Sequence, residues 1–209
     1  MANKTITAPK GFFAAGVATG VKRSRKLDLG IISCPEGAKA AAVFTTNRIV
    51  SPSVDVCRAH AGSNKICALI INSGNANACT GQKGFDDAVT MCRHTAWELS
   101  AQPNQVLIAS TGIIGEPLPI KKITDGIAVA KNKLSTSAAA GRNFAKAIMT
   151  TDTKTKQAVR KITISGKTVT IAGTVKGAGM IAPNMATTIC VFTTDIAITK
   201  SPRLILAGT

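Results

Sequence analysis

The chain has 209 residues, room for one large domain or two small ones. Hydrophobic residues make up 45% and recur along the whole length, which excludes a chain disordered by composition; with aromatics at 3%, the core falls to Ala, Val, Ile, Leu and Met. The net charge of +16, from 26 basic against 10 acidic residues, admits an acidic partner, but the basic residues are scattered and not interleaved with aromatics, so nucleic acid is not the expected one.

The start, "MANKTITAPKGFFAAGV", lacks the long apolar core of a signal peptide, and no apolar run reaches membrane-spanning length. Cysteines stand at 34, 57, 67, 79, 92 and 190, without CxxC or Cys-His zinc spacing. Cys67 in "KICALIIN" and Cys190 in "TTICVF" read as reduced thiols in apolar strands. A cytoplasmic protein with no membrane contact is the expectation.

In chain order, "AAAVFTTNRIV" (40–50) reads as a strand. "KICALIINSG" (65–74) is an apolar run ended by Asn, Ser and Gly, as a buried strand feeding a loop would be. Phe85, Val89, Cys92, Ala96 and Leu99 then recur at helical spacing, with Asp86 and Asp87 placed to favour the first turn. "VLIAS" (106–110) predicts another buried strand, and "TGIIGEPLP" a loop. Ile123, Ile127, Ala130 and Leu134 mark a second helix, with Lys121, Lys122, Lys131 and Lys133 mostly on its wet side. "STSAAAGRNFAKAIM" (135–149) predicts a third, capped by Ser135 or Ser137.

"RKITISGKTVTIAGTVKG" alternates apolar and polar residues around Ser165-Gly166-Lys167, which predicts a hairpin. "TICVFTT" follows as a buried strand. Strands and helices alternate early and strands cluster late, which implies an α/β fold, a layered sandwich.

Before that last strand lies "KGAGMIAPNMATTICVFTTD", a glycine-rich turn aimed at Thr187-Thr188. The residues admit two readings. Thr suits a strand by β propensity. A Thr hydroxyl also becomes a nucleophile when a base activates it, and a Thr freed at a new N-terminus carries its own base in the α-amine.

The whole stretch closely resembles the self-cleaving segment of the ornithine acetyltransferase family, also called glutamate N-acetyltransferase. "INSGNANACTG" (71–81), "ASTGIIGEPLP" (109–119) and "AIMTTDT" (147–153) resemble that family's other signatures, in the same order. The resemblance runs from about residue 7 to 199. It implies mixed sheets in a layered α/β fold like that of self-cleaving N-terminal-nucleophile enzymes.

By that resemblance, cleavage of the Ala186–Thr187 bond frees Thr187 as the nucleophile. Thr111 and Gly112 match the oxyanion hole. Thr150, Lys176 and Thr187 match substrate-binding positions, whereas Thr151 and Asp152 match no assigned role. The implied reaction moves an acetyl group from N-acetylornithine to glutamate in arginine biosynthesis, and some family members also accept acetyl-CoA. No metal or redox cofactor is implied, and His60 and His94 have no part. The implied partner is a second (beta) segment of the same enzyme, in a heterotetramer of two alpha and two beta chains.

The resemblance also implies a division at residue 186, with 1–186 as the alpha segment and 187–209 as the start of the beta segment. Family members continue well past the nucleophile, whereas 22 residues follow Thr187 here. A chain truncated in this way is expected to be inactive alone. Two rival readings stay open: an aminopeptidase with an N-terminal nucleophile, and an inactive basic fragment that binds acidic partners.

Overall fold

The structure, a computed structural model, describes residues 3–63, 65–179 and 188–197. Two sheets carry the fold. The first has the order β1-β2-β3-β4, from β1 (Phe13–Val17), β2 (Leu29–Ala38), β3 (Ile66–Asn75) and β4 (Val106–Ile113). It is mixed: β1, β2 and β3 pair antiparallel, and β3 pairs β4 in parallel. The second is antiparallel, with the order β5-β6-β7, from β5 (Lys156–Ile164), β6 (Lys167–Lys176) and β7 (Ile189–Thr194).

The first sheet is buried on both faces, as the period-2 rule makes visible. Leu29 and Ile31, with Ala68 and Ile70, pack into one core with Met91, Ile123 and Ile127. Ile32 and Ile71 point the other way, into a second core with Phe144 and Ile148. Helices α1 (Pro52–His60), α2 (Gly81–Glu98) and α3 (Ile120–Lys131) serve the first core, and α4 (Ala138–Ala147) the second. Ile189 and Val191 of β7 pack on that second core, so it lies between the two sheets. The expected layered α/β sandwich is the observed architecture.

Close contact between α4 and the first sheet needs small residues. A Cβ at Gly16 would lie 2.2 Å from the Asn143 carbonyl oxygen, and one at Gly30 would lie 2.8 Å from the Phe144 ring. Ser137 caps α4, accepting the Ala140 N–H at 3.2 Å. The expected hairpin turns at Ser165-Gly166, both with positive φ.

Several sequence expectations need correction. Residues 40–50 form no strand; Val43 and Ile49 are exposed, and the ladder position beside β3 belongs to β2. Helix α1 was not foreseen, although Ser51 caps it and Pro52 follows at its first position, a recognised start signal. Helix α2 begins at Gly81, so Asp86 and Asp87 lie past its first turn. Its buried stripe runs through Ala88, Met91, Cys92, Thr95 and Ala96, and Phe85 is exposed. Leu134 lies past the end of α3 but still packs on the first core.

Strand β7 is not a buried strand. It pairs with β6, its Cys190 is exposed, and Phe192 is 71% exposed. Cys57, Cys67 and Cys92 are the buried thiols, and burial pushes the Cys92 thiol up to about 12. Among the described residues, no helix is long and apolar enough to cross a membrane.

Candidate active site

The site begins where β3 and β4 run in parallel. At their C-terminal ends Gly74 pairs with Gly112, and the register then slips at Asn75. Gly112 holds φ +141°, and a Cβ there would lie 2.3 Å from the Gly74 carbonyl carbon. Glycine is therefore required at this crossing. The strand runs on through Thr111 to Ile113, where the sequence suggested a loop from Thr111 onward.

Asn75 ties the two motifs into one unit. Its Nδ2 donates to the carbonyls of Glu116 (3.1 Å) and Pro117 (3.2 Å), and its Oδ1 accepts the Asn77 N–H at 2.8 Å. The stretches "INSGNANACTG" and "ASTGIIGEPLP" thus build adjoining walls of one cleft. That cleft has a volume of about 560 Å³ and is lined by Lys22, Gly74, Thr111, Gly112, Glu116 and Thr150, among others.

Lys176, at the end of β6, reaches the same place from the second sheet. Its Nζ donates to Thr111 Oγ1 at 2.8 Å. Lys176 is 2% exposed and Thr111 is 1% exposed. Burial pulls the Lys176 amine below its ordinary value, Asp152 acts against that, and Lys156 adds to it. Because Thr111 Oγ1 accepts from Lys176, its own hydroxyl proton is turned toward another acceptor. A side-chain O–H and a Gly-containing backbone at the cleft wall are the donor types that stabilise developing negative charge.

Asp152 is the organiser that sequence reasoning left without a role. Its Oδ1 accepts from Lys156 Nζ at 2.6 Å and from the Gly177 N–H at 3.0 Å. Thr151 Oγ1 accepts the Gly179 N–H at 3.3 Å, and Lys156 also donates to the Gly177 carbonyl. Residues 151–152 thus clamp the segment that follows Lys176. Burial would raise the Asp152 carboxyl, but hydrogen bonds from Lys156 and from backbone N–H groups outweigh it and hold the group below its usual range.

The sign follows from that lowering. The clamp's contribution to stability is fully present above the ordinary Asp value, about 3.9, and is lost as pH falls through the lower folded value. Asp152→Asn is expected to cost about 1.5–3 kcal/mol, the scale of hydrogen bonds to a charged group. It should also speed hydrogen exchange at the Gly177 and Gly179 amides. Unchanged exchange there would remove the clamp.

The structure brings Thr111, Gly112, Thr150 and Lys176 together. Ala186 and Thr187 lie outside the described residues. Their flank is placed: Ile189 pairs in register with Lys176, and a Cβ on Gly177 would lie 3.1 Å from Thr188 Oγ1. Sequence reasoning missed Lys22 and Glu116. Lys22 counted as one of many scattered basic residues, and no local signal shows that its loop folds onto Gly74. Among the described residues, no group of three or more His, Cys, Asp or Glu is placed to hold a metal ion.

Comparison with known proteins agrees with this geometry. The ArgJ family model matches residues 13–204. The arginine biosynthesis bifunctional protein ArgJ of Caldanaerobacter subterraneus subsp. tengcongensis is 47% identical over 196 residues, which is 94% of this chain and 48% of that protein. The protein of the same name from a strain of Bacillus cereus is 46% identical, over 91% of this chain and 46% of its own length. The chain thus spans about half the length of these curated relatives.

Among solved structures, arginine biosynthesis bifunctional protein argJ from Bacillus halodurans superposes with a TM-score of 0.83 at 42% identity, covering 88% of this chain and 95% of that one. Ornithine acetyltransferase from Mycobacterium tuberculosis, solved with ornithine, gives 0.78 at 36% identity, covering 88% and 96%. A family match across nearly the whole chain, on a fold that brings Thr111, Gly112 and Thr150 to one cleft with Lys176 against Thr111, leads to one conclusion: the chain belongs to the ArgJ family.

Proposed function

We propose that this chain is the alpha segment of an enzyme that moves an acetyl group from N-acetylornithine to glutamate in arginine biosynthesis. The observation that carries the reading is the buried contact between Lys176 and Thr111 at the wall of the cleft. It joins two motifs 65 residues apart in the chain and supports Thr111 as an oxyanion donor, because its accepted hydrogen bond frees its own proton for a ligand.

The chain is cleaved between Ala186 and Thr187, which divides segment 1–186 from the segment that starts at 187. The freed α-amine of Thr187 takes the proton of its own hydroxyl, and Oγ attacks the acetyl carbonyl. The Thr111 hydroxyl and the Gly112 N–H donate to the oxyanion. As it collapses, the C–N bond breaks and the departing ornithine amine takes the proton back from the Thr187 amine. An acetyl ester remains on Thr187. The α-amine of glutamate then attacks that ester by the same steps in reverse, with acetyl-CoA as a second donor. Thr150 and Lys176 hold the substrate. A beta segment supplies the opposing wall, in an assembly of two alpha and two beta chains.

Two measurements test this. Acetyl exchange between N-acetylornithine and glutamate should be absent with the 209-residue chain alone and appear when the second segment of a full-length relative is supplied. A missing wall should cost far more than the roughly hundredfold lost to a misplacement of about 1 Å. Robust exchange by the chain alone would contradict the one-walled site. In the active combination, Thr187→Ala should remain uncleaved by intact mass. Cleavage of that variant at the same bond would show that another group drives it.

A further inference from the structure

We propose that Lys22 is a substrate-binding residue, its ammonium taking the α-carboxylate of the N-acetylated amino acid. The identity of the ligand rests on the acetyl-transfer reading; the subsite itself rests on the geometry of the cleft.

Any ligand of that reaction carries a carboxylate a few bonds from the acetyl carbonyl. Among the described residues lining the cleft, the cations are Lys22 and Arg23, and the anion is Glu116. Lys176, 2% exposed, stands next to that lining and donates to the Thr111 hydroxyl. A carboxylate entering the cleft therefore meets Lys22 at its wall.

The position of Lys22 is built by the loop between β1 and β2. The fully buried Asp28 gathers that loop: its Oδ1 accepts the Thr19 N–H (2.7 Å) and hydroxyl (2.9 Å). Its Oδ2 accepts the N–H groups of Gly20 (3.1 Å) and Lys22 (3.0 Å). Lys22 Nζ donates to the Leu27 carbonyl at 2.7 Å, which leaves its other N–H groups for a ligand. The stem lies on Gly74, where an added Cβ would meet Lys22 Cγ at 3.0 Å. Gly74 is the register partner of Gly112, so Lys22 rests on the strand beside the oxyanion donors. Arg23, by contrast, is exposed.

The electrostatics suit an anion. Burial pulls the Lys22 amine down to about 8; Asp28 acts against that, and Lys26 and Lys176 add to it. An anion between Lys22 and Lys176 would relieve that repulsion and restore the charged form.

The test needs no catalysis. The 209-residue chain is titrated calorimetrically with N-acetylornithine and with its α-carboxamide, which differ in charge at one group. The carboxylate should bind on the order of tenfold more tightly, the scale expected of a charge-assisted contact. Lys22→Met should abolish that preference and leave carboxamide binding unchanged. Lys22→Arg should retain it in part, and Arg23→Ala in full. A second readout spares the fold: in the unsubstituted chain, N-acetylornithine should slow reductive methylation of the Lys22 amine, and the carboxamide should not.

Equal affinity for the two ligands, binding of neither, or full preference in Lys22→Met would each overturn the proposal, as would a methylation rate that ignores the ligand. Carboxylate preference at Lys22, with no acetyl exchange when the second segment is supplied, would instead overturn the transfer reading and leave the subsite standing.

Discussion

Thr111→Ala is expected to slow acetyl transfer by on the order of a hundredfold or more, the usual loss for one oxyanion donor. The Thr111 hydroxyl receives Lys176 at 2.8 Å, so its proton is directed elsewhere, toward the place proposed for the oxyanion. Its contribution grows as charge develops on that oxygen, so binding of ornithine should change less than turnover. Thr111→Ser keeps the hydroxyl and should keep most of the rate. The check is steady-state exchange in the presence of the second segment. Unchanged turnover with weakened binding would move Thr111 from oxyanion stabilisation to substrate contact.

Gly112→Ala is expected to damage both fold and site. At φ +141° a side chain is strained, at about 1–3 kcal/mol. The new Cβ would also sit 2.3 Å from the Gly74 carbonyl carbon and 2.5 Å from the Asn75 nitrogen. Both atoms are backbone in the paired strand, so the clash cannot be relieved by a rotamer change. Overpacking of this kind adds roughly 1–3 kcal/mol. A denaturant midpoint well below that of the unsubstituted chain, together with lost exchange, is the expected result. A stable variant with normal exchange would show that β3 and β4 can part without loss, and would remove Gly112 from the site.

Much of the fold was legible where one physical signal dominates. The run before Asn72 is apolar because β3 is covered on both faces, and the alternation around Ser165-Gly166 survives as the hairpin of β5 and β6. The signal failed where tertiary pairing decides. Residues 40–50 have strand formers but no ladder to join, whereas Leu29–Ala38 occupies that ladder and was not foreseen. "TICVFTT" has the composition of a buried strand, yet Phe192 stands exposed on β7.

The site divides in the same way. Thr111, Gly112, Thr150 and Lys176 entered as candidates through motif resemblance. The clamp at Asp152 and the part proposed for Lys22 did not, because both rest on contacts across long stretches of chain. Asp152 matters through the Gly177 amide, 25 residues away, and Lys22 through Gly74. No local window of sequence contains either relation.

The proposed reaction passes through a covalent acetyl-threonine at residue 187. The direct measurement is peptide mass mapping after brief incubation with N-acetylornithine, without glutamate, and with the second segment supplied. The reaction is quenched in acid, which holds an ester against migration to the neighbouring amine. The expected product is a peptide that begins at Thr187, carries one acetyl group on its hydroxyl, and loses that group when glutamate is added before the quench. Rapid exchange with no acetyl group on Thr187, or with the group on another residue, would contradict it.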